Sequence, residues 1–180
     1  MESKEAAQGG DASVAEPREL PNNGARPRRG LAVLTCMDAR IDPNSLLGLG
    51  LGDAHIVRNA GGLVTDDAVR SLCISQRLLG TNKIVVIMHE DCGLHRASEA
   101  AFAAALAQEG IPPPSWTAGA FDDLDDALRR GLALLRSSLV LPARDRIYGF
   151  VFDPERELLR GVEGVEWDPA LLTVDPVSEP

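Results

Sequence analysis

Two short stretches of this chain carry residue types suited to metal chemistry, Cys36-Met37-Asp38-Ala39-Arg40 and His89-Glu90-Asp91-Cys92-Gly93. Each follows a strand-like apolar run, LAVLT before the first and IVVIM before the second. Cys36, His89 and Cys92 offer thiolate, imidazole and thiolate, the donors a borderline-soft cation such as zinc prefers. Three protein ligands leave one coordination position for water or substrate, whereas structural zinc sites usually close with four. An acid and a base, Asp38 and Arg40, stand beside the set. The chemistry this predicts is attack by metal-activated water, as in a zinc hydrolase or lyase, with one Zn2+ per chain.

Plainer readings attach to each residue. Free cysteine is often just a small buried apolar group, which is the alternative for Cys36 and Cys92 and the favoured reading of Cys73 on its helical stripe. Asp38 as a permanent fourth ligand would give an inert zinc protein, and neighbouring charges such as Asp38 and Arg40 are by default an exposed ion pair. Asp91 reads as a cap for the next helix, His95 as a helix-start or surface residue, and His55 has no role. Arg58 and Asn59 read equally as part of the glycine-bearing turn that follows them or as an ordinary strand-end pair, and Trp116 and Trp167 as packing residues.

Strands must bring the two stretches together. Residues 31–36 (LAVLTC) form a continuous apolar run with β-branched content, as in a strand covered on both faces. Residues 54–62 read as a second strand running into a Gly-rich turn, 81–89 as a third and 147–153 as a fourth, with 157–162 as a candidate edge strand. Between them the pattern predicts a short helix after Asp42-Pro43 ending near Gly48, and a helix capped by Thr65 and stopped by Gly80. An alanine-rich helix follows from about residue 95 to 108, and another spans 122–138. The alternation predicts an α/β fold with a mostly parallel central sheet of four strands plus the edge strand, and helices on both faces.

Ligands of such sheets gather outside the carboxyl ends of the strands, where strand order reverses. If the strands at Leu31 and Ile84 are parallel neighbours, Cys36, His89 and Cys92 converge there. In an extended stretch Cys36, Asp38 and Arg40 point to one side. Cys92 would precede a helix whose N-terminal dipole favours a thiolate. Gly61, Gly62 and Gly93 let backbone approach the pocket closely and present amides to substrate.

At 180 residues the chain suits one domain, expected over 31–165, between a flexible N-terminal tail or arm at 1–30 and a C-terminal tail at 166–180. A formal charge of -9, from 27 acids against 18 bases, disfavours nucleic acid or an anionic membrane as a partner. No apolar run reaches the roughly 18 residues of a spanning helix, and the start, MESKEAAQGGDAS, lacks a basic region followed by an apolar one. A soluble, cytoplasmic protein is expected. The odd count of three cysteines fits reduced thiols better than a disulfide framework.

The combined pattern, C-x-D-x-R at Cys36, Asp38 and Arg40, H-x-x-C at His89 and Cys92, and RNAGG at 58–62 between them, resembles the β-class carbonic anhydrase family. The likeness spans roughly 31–153, and the short chain resembles the family's compact prokaryotic branch. The resemblance implies a zinc lyase that reversibly hydrates carbon dioxide to bicarbonate and a proton, with Cys36, His89 and Cys92 on zinc and water or hydroxide as the fourth ligand. It implies that Asp38 orients the nucleophile while Arg40 holds Asp38, and that the chain is a homodimer or homotetramer. That branch is also similar to enzymes hydrolysing carbonyl sulfide or carbon disulfide. A non-catalytic zinc-binding protein of the same fold is the remaining alternative.

Overall fold

A computed structural model describes residues 24–162 and 168–172. One five-stranded sheet organises the chain in the order β2-β1-β3-β4-β5, with β1 Leu31–Cys36, β2 Ala54–Asn59, β3 Lys83–His89, β4 Ile147–Asp153 and β5 Leu158–Gly161. The first four run parallel and β5 is antiparallel to β4, so the edge strand expected at 157–162 is present. Every residue of β1 and β3 is buried, which explains why their sequences are unbroken apolar runs rather than alternating ones.

The helices are α1 Pro43–Leu47, α2 Asp66–Arg77, α3 Glu99–Gln108 and α4 Leu124–Ser137. Asp42 caps α1 by accepting from the Asn44 amide, and Gly48 ends it in the left-handed region, where glycine carries no Cβ penalty. Thr65 caps α2 and Asp123 caps α4. From β1 the chain steps to β2, then reverses across β1 to β3 and on to β4. Right-handed crossovers therefore put α1 on one face of the sheet and α2 with α4 on the other.

Two expectations need correction. The helix expected from residue 95 begins at Glu99, because the Ser98 side chain caps it by accepting from the Ala101 amide. A separate 3-10 turn, Gly93–His95, precedes it. The tail expected over 1–30 does not extend over 24–30. The amides of Arg28 and Arg29 donate to the carbonyls of Gly52 and Asp53 at 2.9 and 3.0 Å, and the Arg28 guanidinium pairs with Asp53. Residues 1–23, Trp167 and most of the expected C-terminal tail lie outside the described residues. Among those described, no helix is long and apolar enough to cross a membrane.

Candidate active site

β1 and β3 are parallel neighbours, with Thr35 opposite Ile87 in the last register pair, so their carboxyl ends open at one place. That place lies between the strands where sheet order reverses, the position at which open α/β sheets bind ligands. Cys36 ends β1, His89 ends β3, and Cys92 follows three residues on. One ligand atom from each lies within 4.8 Å of the other two. All three side chains are closed off from solvent, at 4%, 1% and 3% exposure for Cys36, His89 and Cys92.

The histidine settles its own tautomer. Nδ1 lies 2.9 Å from the Glu90 carbonyl, which can only accept, so in the neutral ring Nδ1 carries the hydrogen and Nε2 the lone pair. Nε2 is buried among the described residues with no hydrogen-bond partner. An orphaned buried acceptor is costly unless something electrophilic faces it, and a cation within the Cys-His-Cys triangle meets that need.

The charges point the same way. The Cys92 thiol beside it, aided by His89 and by the amides of Asp38 and Gly61, overcomes burial and brings the Cys36 thiol down to about 4. Cys92 is pushed up, first because Cys36 already holds the charge and then by burial. Burial opposes protonation of His89, but the Cys36 thiolate outweighs it and the net shift is upward. A divalent cation removes the conflict between the two sulfurs, so the donor set fits zinc. The helix dipole expected to assist Cys92 is absent, since only a three-residue 3-10 turn follows it.

Asp38 and Arg40 meet through a turn and not through strand alternation. β1 ends at Cys36, and the Asp38 carboxylate then accepts from the amide of Arg40 at 2.9 Å, closing an Asx turn. The same carboxylate receives Arg40 Nε at 3.0 Å and Nη2 at 2.8 Å, a two-pronged pair. The Arg40 side chain first, and its amide second, hold Asp38 well below the usual carboxylate range. Asp38 Oδ2 stands 3.8 Å from His89 Nε2, at the edge of the ligand triangle.

The turn is itself held by Arg58, whose Nε donates to the Cys36 carbonyl at 3.0 Å and Nη2 to the Asp38 carbonyl at 2.7 Å. Next to it, Asn59 accepts the Leu63 amide and donates to the Leu63 carbonyl, tying down the loop that carries the glycines. Neither residue is an idle strand-end pair. Their signal in the sequence is the RNAGG string itself.

The three glycines differ. Gly62, at φ +66°, lies so close to the seam that a Cβ there would stand 2.9 Å from both the Cys36 nitrogen and the Ile87 carbonyl. At Gly61, φ +76°, a Cβ would stand 2.9 Å from the Leu94 side chain, and its amide serves the Cys36 sulfur. Gly93 has open space around it, so close backbone approach does not account for it. Asp91 does not cap a helix: its backbone is left-handed at φ 55° and its carboxylate pairs with Arg40 and Arg96. His95 bonds the Asp122 carbonyl and stacks on Phe121, while His55 bonds Ser75 and the Ala25 carbonyl. Cys73 Sγ lies 3.5 Å from the Val140 carbonyl, away from the cluster.

Known proteins align with this arrangement. The family model described as carbonic anhydrase matches residues 31–116. Beta-carbonic anhydrase 1 of Mycobacterium tuberculosis is 39% identical over 127 residues, covering 71% of this chain and 78% of that protein. A carbon disulfide hydrolase of an Acidianus species is 33% identical over 174 residues, covering 83% of each. The crystal structure of a carbonic anhydrase from Streptococcus mutans superposes with a TM-score of 0.76 at 39% identity, over 82% of this chain and 88% of that one. With 39% identity over most of a β-carbonic anhydrase and a fold that superposes on a carbonic anhydrase of the same identity, the chain belongs to the β-carbonic anhydrase family.

Proposed function

We propose that the protein catalyses the reversible hydration of carbon dioxide to bicarbonate and a proton, as a zinc lyase. The observation that carries this reading is the orphaned, buried Nε2 of His89 converging with two cysteine sulfurs while Asp38 stands 3.8 Å away. Cys36, His89 and Cys92 are the metal ligands. A zinc ion held there supplies a water far more acidic than bulk water, hence a nucleophile for an electrophilic carbon. Asp38, ionised and acceptor-only, would accept a hydrogen bond at Oδ2 from a water held in the site, and so orient that oxygen's lone pair toward the substrate. Arg40 keeps Asp38 ionised and in place. Of the three glycines, Gly93 has the open space a substrate needs, Gly62 packs into the seam between β1 and β3, and the Gly61 amide serves Cys36. The near-complete burial of the ligands favours a small, uncharged substrate.

Hydrolysis of carbon disulfide or carbonyl sulfide is the second reading, favoured by the 33% identity to a carbon disulfide hydrolase over most of both chains. It uses the same residues. Stopped-flow carbon dioxide hydration on protein of measured zinc content, run beside both sulfur substrates, separates the two. No hydration at full zinc occupancy sinks the first reading. We further propose a cytoplasmic homodimer or homotetramer with one catalytic domain over 31–165, against which residues 24–30 dock. A monomer by light scattering removes the assembly.

A further inference from the structure

We propose that Asp91 is a positioning residue for the reaction: through Arg40 it fixes where the Asp38 carboxylate sits, and so ties one ligand-bearing loop to the other. This rests on the hydration reading above. Arg40 donates in two directions at once. Toward its own loop, Nε and Nη2 hold Asp38. Toward the loop between His89 and Cys92, Nη1 donates to Asp91 Oδ2 at 3.2 Å and Nη2 to the Asp91 carbonyl at 3.2 Å. Asp91 is pinned in turn by Arg96, whose Nη2 lies 2.5 Å from its Oδ1. The result is a chain of alternating charge, Arg96, Asp91, Arg40, Asp38, that ends beside His89 Nε2.

Two features make this more than a surface ion pair, which alone contributes little. Asp91 adopts a left-handed backbone, one of only two non-glycine residues described that do, and this presents its carbonyl and its carboxylate to the same guanidinium. A planar fork gripped on one side only can pivot about its other bonds. Gripped on both, Arg40 offers Asp38 one geometry, and orientation of a group by a few tenths of an ångström matters where it aims a nucleophile.

Asparagine and glycine both tolerate φ near 55°, so Asp91→Asn and Asp91→Gly remove the carboxylate without forcing the backbone. The test measures zinc per chain, carbon dioxide hydration split into kcat and KM, and the Arg40 Nε–H resonance in metal-free protein with labelled arginine. Expected in both variants are full zinc, kcat lower by about tenfold or more with KM little changed, and an Arg40 resonance broadened by exchange. An Arg40 resonance and kcat identical to the parent in both overturn the proposal. So does a loss of turnover matched by lost zinc with the resonance unmoved, because Asp91 then only supports the fold. If the parent hydrates no carbon dioxide, the functional reading fails, and the Arg40 resonance still decides the role of Asp91.

Discussion

Arg58 Nη2 donates to the backbone carbonyl of Asp38 at 2.7 Å, reaching from β2 across the end of β1. Its Nε meanwhile holds the carbonyl of Cys36. One guanidinium thus fixes both ends of the segment that carries the Cys36 thiol at one end and the Asp38 carboxylate at the other. The parallel register makes this reachable, since Thr35 stands opposite Arg58 and Cys36 opposite Asn59.

Replacing Arg58 with lysine keeps the charge and loses the fork, which one ammonium cannot replace at two carbonyls. Arg58→Lys is expected to lower zinc affinity or hydration rate by about 10- to 100-fold, the usual loss for groups that orient a metal ligand without touching the metal. Competition with a zinc-binding dye and stopped-flow rates check it. Parent behaviour in both would show that Asp38 and Cys36 hold their places unaided.

Asp38→Asn should retain zinc and lose turnover by about 100-fold or more, in the range found for positioned acid or base groups. Cys36→Ser and Cys92→Ser should instead lose zinc. Elemental analysis beside rate measurement separates the two classes, and an Asp38→Asn protein as fast as the parent would remove Asp38 from the chemistry.

The central strands and the members of the Cys-His-Cys cluster were legible because each is a local signal: an unbroken β-branched run, a residue type, a spacing. The convergence of Cys36 with His89 needed one assumption, that β1 and β3 are neighbours, and the register bears it out. What stayed hidden depends on contacts far apart in sequence. The reach of Arg58 follows from the β1 to β2 register, and the docking of 24–30 follows from Asp53 attracting Arg28. The start of α3 at Glu99 is hidden for a different reason. Ala-rich composition extends helix propensity backwards, but Ser98 offers a side-chain cap that stops it there. Asp38 and Arg40 meet through an Asx turn, which depends on a side-chain to backbone bond that strand alternation does not encode.

Gly62→Ala should cost about 1–3 kcal/mol for overpacking against backbone, with about 1 kcal/mol more for the left-handed conformation. The two atoms it would meet, the Cys36 nitrogen and the Ile87 carbonyl, belong to the seam of the site. Gly93→Ala meets nothing and should stay within about 0.5 kcal/mol of the parent. Denaturant midpoints on the metal-free proteins compare them. Equal midpoints would mean the seam relaxes freely around an added methyl group.

Zinc uptake should release protons, and their number follows from the electrostatics of the triangle. In the metal-free protein near neutral pH, Cys36 is a thiolate with its pKa at about 4. Cys92, pushed up by that charge and by burial, keeps its proton, and His89 is shifted toward protonation despite burial. Binding requires both thiolates and a neutral imidazole, so at pH 7 about one to two protons leave per zinc bound. Affinity should therefore rise with pH, and rise more steeply below about 4, where Cys36 must also give up a proton. The same depressed value fixes a sign for the metal-free fold. The Cys36 thiolate contributes stability above the ordinary thiol pKa of about 8.5, and that contribution is lost as pH falls through about 4. Calorimetric zinc titrations in buffers of different ionisation enthalpy count the protons. A count of zero at pH 7 would mean that Cys92 is already ionised beside Cys36, against the repulsion between two thiolates in a closed site.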